Sequence, residues 1–242
     1  MPGATVNAEP AADRVAGWFG KIPAVGDFAA RRVSGEFVAM WDEWLQRSLE
    51  SSRSALGEAW LDIYLHGSIL RFALLPGVCG ETLWAGILMP SVDRVGRYFP
   101  LTITLPLEAR PGALAAAVSA HRWFAALEEV ALSALESDAA PEELDAELAE
   151  IPFPWAVANS GPAAAALAEW WRADSTHAYL TELSDVRAID DLVLAGAESA
   201  FMAAGRGKSL WWSLGRDIAR FNCFSGLPAP EHFADLMQQV DR

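Results

Sequence analysis

The chain is expected to fold as a single α/β domain in which helices cover both faces of a largely antiparallel or mixed central sheet, a three-layer sandwich. Three observations carry that expectation. Short segments of strand character occur both early and late, with segments of helical periodicity before, between and after them. The links between the early strands are too short for parallel crossovers, which take a dozen residues or more. Finally, 52% of the 242 residues are apolar, ample for a buried core.

The elements follow in order. Residues 1–13 hold Pro, Ala, Asn and Glu with no basic start and no apolar run, so they read as a flexible tail and not a secretory signal; residues 14–242 form the domain. Gly17 to Phe28 reads as a built loop, entered by aromatics, punctuated by glycines and a proline, with Lys21 and Asp27 as its only charges. Ser34 is a fitting N-cap, and Phe37, Trp41, Trp44, Leu45 and Leu49 then recur at helical spacing until Gly57. Strand character follows at Ile69–Leu75, Thr82–Met89 and Tyr98–Leu107, with Pro76, Gly77 and Gly80 making a tight connection between the first two. Leu101, Ile103, Leu105 and Leu107 alternate with Thr102, Thr104 and Pro106, and the three runs predict an antiparallel meander.

After Pro111 and Gly112 the alternation stops. Phe124, Leu127, Ala131 and Leu135 form one helical stripe, Pro141 opens a second, acidic helix, and helices dominate to about Leu183. Strands return at Leu210–Leu214 and Arg220–Phe224 around a Gly215-Arg216-Asp217 turn, and Pro230 opens a last helix carrying Phe233, Leu236, Met237 and Val240. A domain break in the proline-rich tract from Pro152 to Pro162 would leave the late strands as an isolated hairpin, which is marginal alone. One domain is therefore preferred.

Charge narrows the function. A net −14 opposes binding to nucleic acid, which needs clustered Lys and Arg to displace counterions, and disfavours acidic lipid surfaces likewise. Between Arg122 and Arg172 there are ten carboxylates and no Lys or Arg; segment 123–171 is either a solvated helical face or a docking surface for a basic partner. Ile151–Ala168 lacks charge, but three prolines and a glycine break it, so no membrane insertion is expected. Two cysteines are too few for a disulfide framework, which fits a reducing compartment. The protein is expected to be soluble and cytoplasmic. Its eleven tryptophans exceed what a core of this size ordinarily uses, and some are expected half exposed at a contact surface.

Motifs for chemistry are sparse. Ala204-Gly205-Arg206-Gly207-Lys208-Ser209 ends like a phosphate-binding loop, but Met202 stands at the first glycine position and a strand follows where a helix is required, so a turn entering a strand is preferred. His66, His121, His177 and His232 are scattered without zinc-ligand spacing, and no G-x-S-x-G, C-x-x-C or G-x-G-x-x-G occurs; no metal, cofactor or catalytic residue is assigned. In the loop with Asp93, Arg94, Gly96 and Arg97, either Asp93 pairs internally with an arginine or the guanidinium forks grip a partner's carboxylate or phosphate. Lys21 and Asp27 either cap the glycine-rich turn or form a contact surface. Trp211 and Trp212 must point to opposite faces of their strand, as core or with one exposed as a binding anchor.

Gly17–Phe28 and Met89–Thr102 together resemble the signature tracts of the TagF (ImpM) family, accessory proteins of bacterial type VI secretion. The similarity continues through Gly57–Asp62 and Gly207–Trp212, with a weaker echo from Cys223 to Pro230, and is strong over roughly residues 17 to 107. The resemblance implies a cytoplasmic regulator that represses secretion after translation by binding other proteins, notably a forkhead-associated scaffold protein, and it brings no established catalytic residues. Some members of that family are fused to a metal-dependent serine/threonine phosphatase, for which a chain ending at Arg242 leaves no room. The rival expectations are a structural or assembly component of the apparatus, or an enzyme holding phosphate or a nucleotide at Arg94, Arg97 or Lys208. The candidate partner-binding residues are Lys21, Asp27, Asp93, Arg94, Arg97, Trp211 and Trp212.

Overall fold

Ser34 accepts a hydrogen bond from the Phe37 amide and starts the 22-residue helix α1 (Gly35–Leu56), which ends at Gly57 with φ +55°. The computed structural model describes residues 15–110, 112–136, 140–155, 166–167, 169–171, 173, 181 and 187–238. Within these, seven strands form one antiparallel sheet: β1 (Gly17–Gly20), β2 (Ala29–Arg31), β3 (Leu70–Leu74), β4 (Leu83–Met89), β5 (Leu101–Leu107), β6 (Lys208–Leu214) and β7 (Ala219–Ser225). Their spatial order is β2-β1-β5-β4-β3-β6-β7. The predicted meander is its centre, with Leu83 opposite Leu107 and Leu70 opposite Leu88, and the late hairpin joins through Phe72 opposite Trp211.

Helices lie on both faces, as expected for the α/β sandwich. One side holds α1, α2 (Trp60–Leu65) and α7 (Phe233–Met237), packed over Phe72, Trp84, Leu88 and Trp211. The opposite side holds α3 (Ala113–Ser119), α4 (His121–Glu136) and α5 (Pro141–Ala149) over Trp18, Ala85, Ile87, Ile103 and Trp212. The long helix α6 (Arg187–Ala204) sends Met202 toward this second core, and the Glu198 carboxylate accepts the Gly112 and Leu114 amides, 2.6 and 3.1 Å, at the start of α3.

Two strands went unforeseen. The start of the Gly17–Phe28 tract is β1, paired with β2 through Trp18–Arg31 and with β5 through Trp18–Ile103. Its glycines serve close backbone approach and not a turn. A Cβ at Gly17 would lie 2.5 Å from the Arg32 carbonyl, and one at Gly20 would lie 2.2 Å from that of Pro100. Conversely, the run expected to be a strand from Tyr98 begins at Leu101. Tyr98 makes only an isolated bridge to Val92, because residues 90–100 are shaped by their own hydrogen bonds. The last helix opens as a 3₁₀ turn (Pro230–His232) before α7, and Val240 lies outside the described residues, as does most of the expected helical region between residues 156 and 186.

Candidate functional site: two loops joined at a buried aspartate

The signature loops meet at one end of the sheet. The first, Lys21–Phe28, connects β1 to β2; the second, Pro90–Pro100, connects β4 to β5. Because β1 lies beside β5, the two connections emerge together. Asp93 joins them. Its side chain is fully buried, and its carboxylate accepts four hydrogen bonds. Oδ1 takes the Val95 and Arg97 amides at 3.0 and 2.9 Å, while Oδ2 takes Lys21 Nζ and Arg97 Nε, each at 2.7 Å. The Lys21–Asp93 pair is enclosed on both sides, whereas Arg97 remains largely in solvent and also donates to the Gly26 carbonyl.

Burial penalises an ionised carboxylate, yet the hydrogen bonds from Lys21 and Arg97 and from the Arg97 and Val95 amides outweigh it and hold Asp93 well below the usual carboxylate range. Further bonds lock the base of the loops. Ser91 donates through Oγ to the Lys21 carbonyl at 2.7 Å, and the Tyr64 hydroxyl donates to the Ser91 carbonyl at 2.9 Å while accepting the Ser91 amide at 3.0 Å. Burial pushes the Tyr64 phenol upward, so it stays protonated and able to donate. Gly96, at φ +81°, closes the turn where a side chain would be strained.

This frame presents a small outward surface. The Arg94 amide donates to the Val25 carbonyl, its side chain is exposed, and among the described residues it makes no ion pair. Val95 at the tip is 65% exposed. Beside them the Phe28 ring, 44% exposed, stands edge-on to Phe99 at 4.7 Å and stacks on Phe19 at 5.8 Å, with Lys21 Nζ 4.9 Å from its centroid. Asp27 is exposed and accepts the Phe28 amide through Oδ1.

The structure thus brings Lys21, Asp27, Asp93, Arg94 and Arg97 together, and internal pairing of Asp93 involves both Lys21 and Arg97. Trp211 and Trp212 lie apart from them, in the interior. Trp211 stacks on Trp41 at 5.9 Å in one core, and Trp212 meets Phe124 edge-on at 5.3 Å in the other. The two rings take opposite faces, as the strand parity requires, and both are buried. Lys208 begins β6 after a turn at Gly207 with φ +74°, so the sequence there does enter a strand.

Ser91, Tyr64, Phe28 and Val95 escaped the sequence reading. One signal was available for Val95, an apolar residue in a turn otherwise made of Asp, Arg and Gly. The acidic segment also holds structural carboxylates: Glu128 accepts a forked pair of hydrogen bonds from buried Arg71, at 2.6 and 2.8 Å, and Asp145 pairs with Arg32 at 2.7 Å.

A crystal structure of PA0076 from Pseudomonas aeruginosa PAO1 is similar, with a TM-score of 0.70 and 32% sequence identity over 94% of this chain and 96% of that one. Among curated proteins none matches the chain. No helix among the described residues is long and apolar enough to cross a membrane. Residues 17–151, more than half of the chain and spanning both loops, match the TagF N-terminal domain, described as type VI secretion system-associated, and the chain belongs to that family.

Proposed function

We propose that this protein is a cytoplasmic regulator that restrains type VI secretion after translation, and that it does so by docking a forkhead-associated scaffold protein onto the surface presented by the Asp93-centred loops. Family membership supports the association with type VI secretion. The observation that carries the docking surface is Val95, an apolar side chain 65% exposed on a turn whose backbone is fixed by the Asp93 carboxylate. A side chain displayed on a fixed backbone loses little freedom when it is covered, so its burial is kept as affinity. Arginine and aromatic residues beside it are of the kinds that dominate binding energy at interfaces.

Purified protein is expected to bind the scaffold at micromolar concentration. Val95→Asp and Arg94→Glu are each expected to weaken that complex at least about tenfold, some 1.4 kcal/mol, without lowering the melting temperature. A complex indifferent to both substitutions would move the surface elsewhere, and no complex between the two folded proteins would remove this partner. In cells, deletion of a repressor raises secretion, whereas deletion of a structural component of the apparatus abolishes it.

A further inference from the structure

The two signature loops hold three cations, Lys21, Arg94 and Arg97, against two carboxylates, Asp27 and Asp93, an excess of one positive charge on a chain that carries −14. Asp93 is taken up inside the frame by Lys21, Arg97 and two amides, and Asp27 accepts the Phe28 amide. Neither pairs with Arg94, which makes no ion pair among the described residues. Its position is set nonetheless. The Arg94 amide is bonded to the Val25 carbonyl, and a Cβ built at Gly26 would lie 3.6 Å from Arg94 Nη2 and 4.0 Å from Nε, so the guanidinium rests against backbone that carries no side chain. Arg97 reaches the same residue, donating through Nη2 to the Gly26 carbonyl. Two guanidinium groups therefore converge on Gly26. Arg97 has Nε and Nη2 engaged, whereas the Arg94 fork is open among the described residues.

We infer that the segment taken by this surface is acidic: an Asp or Glu side chain of the partner is gripped by the Arg94 fork, beside an apolar residue that covers Val95. This rests on the docking surface proposed above and names its chemistry. A guanidinium meets a carboxylate through two parallel N–H···O bonds, a geometry that an ammonium cannot supply. A phosphorylated residue is the poorer match. It carries close to twice the charge on three acceptor oxygens and is recognised by clusters of arginines, whereas here one fork is open and Arg97 is already tied to Asp93 and Gly26. Over most of the surface of a −14 chain an acidic segment is repelled, so this spot decides where such a segment lands and in which orientation.

Two measurements on the full chain test this, one of them without the scaffold. In the scaffold complex, Arg94→Gln is expected to weaken binding about tenfold and Arg94→Lys, which keeps the charge but loses the fork, by less. The loss caused by Arg94→Glu should be recovered when one surface Asp or Glu of the scaffold is changed to Lys. Separately, nuclear magnetic resonance of the isotope-labelled chain follows titration with an acetylated Leu-Glu-Leu-Glu peptide. The Arg94 Nε–H and Val95 amide signals should shift with a Kd on the order of 1 mM, and the Val95 shift should vanish in Arg94→Gln. A Leu-Gln-Leu-Gln peptide should leave both signals in place, and a phosphoserine counterpart should bind no tighter than the glutamate peptide. A scaffold that fails to bind removes that partner alone, and the peptides then decide the chemistry. Equal responses to the glutamate and glutamine peptides, a phosphoserine peptide that binds at least about tenfold tighter, or a scaffold complex unchanged by Arg94→Gln would each overturn the inference.

Discussion

Asp93 shows how one side chain can set the shape of a surface it does not itself reach. Replacing it with asparagine keeps the shape but leaves Lys21 charged and enclosed without a counter-ion, and breaking such a pair costs on the order of 3 kcal/mol. Replacing both partners, as in Lys21→Met with Asp93→Leu, should recover part of that loss in urea unfolding, because an apolar pair carries no desolvation penalty. The pH dependence has a definite sign. Asp93 is more acidic folded than its ordinary value of 3.8, so its stabilisation is complete above that value and is withdrawn as pH falls through the lower folded-state value. The stability gap between wild type and Asp93→Asn should therefore stay level from neutral pH down to about pH 4 and narrow below it. A gap that narrowed between about pH 7 and 5 would assign the effect to another group. Cys79, beneath Trp84, gives a second test. Burial pushes its thiol up to about 12, so in the native protein Cys223 should react with a thiol reagent while Cys79 stays silent until unfolding.

At the level of elements, α1 was legible because its apolar residues recur at one spacing and its ends carry Ser34 and Gly57, each acting through its own local geometry. The meander was legible from alternation in β5 and the short links around it. β1 was not, because glycine at both ends of a four-residue strand looks the same in sequence whether it permits a turn or admits a neighbouring backbone. Gly86 shows the second use within β4: a Cβ there would stand 2.2 Å from the Ile103 carbonyl and 2.8 Å from the Thr104 Cα, both backbone atoms. Gly86→Ala should therefore disrupt the β4–β5 pairing and cost more than about 4 kcal/mol, read as loss of soluble, cooperatively unfolding protein. Glu198→Gln is a milder test. It weakens the cap that α6 places on α3 and should cost about 1 kcal/mol, with faster hydrogen exchange at the Leu114 and Ala115 amides. That long-range cap had no sequence signal, since 86 positions separate the partners.

Across the molecule, the tryptophan excess resolves into two interiors that share one sheet. Trp41, Trp44, Trp60, Trp84 and Trp211 lie on one side, Trp18, Trp123 and Trp212 on the other with Trp155 half-buried against them, while Trp170 is half-buried and Trp171 exposed. Several indoles donate to partners distant in the sequence, such as Trp41 to Thr102 Oγ1 at 2.7 Å and Trp44 to the Pro228 carbonyl at 2.7 Å. Neither interior can open without exposing the strands of the other. Tryptophan fluorescence and far-ultraviolet dichroism should therefore report one coincident urea transition; two separated transitions would mean that the chain divides into domains after all. Charge was legible as a total and not as a role, because periodicity shows that a glutamate lies on a helix but not that Glu128 encloses Arg71. The sheet order has a last consequence, for synthesis. Both signature loops and every strand that frames them are complete by Leu107, whereas β6 and β7 arrive about a hundred residues later. During that interval on the ribosome the nascent sheet ends at β3, five residues that are all buried in the finished fold, so shielding of this temporary edge is a demand placed on the cell's chaperones and not on the mature protein.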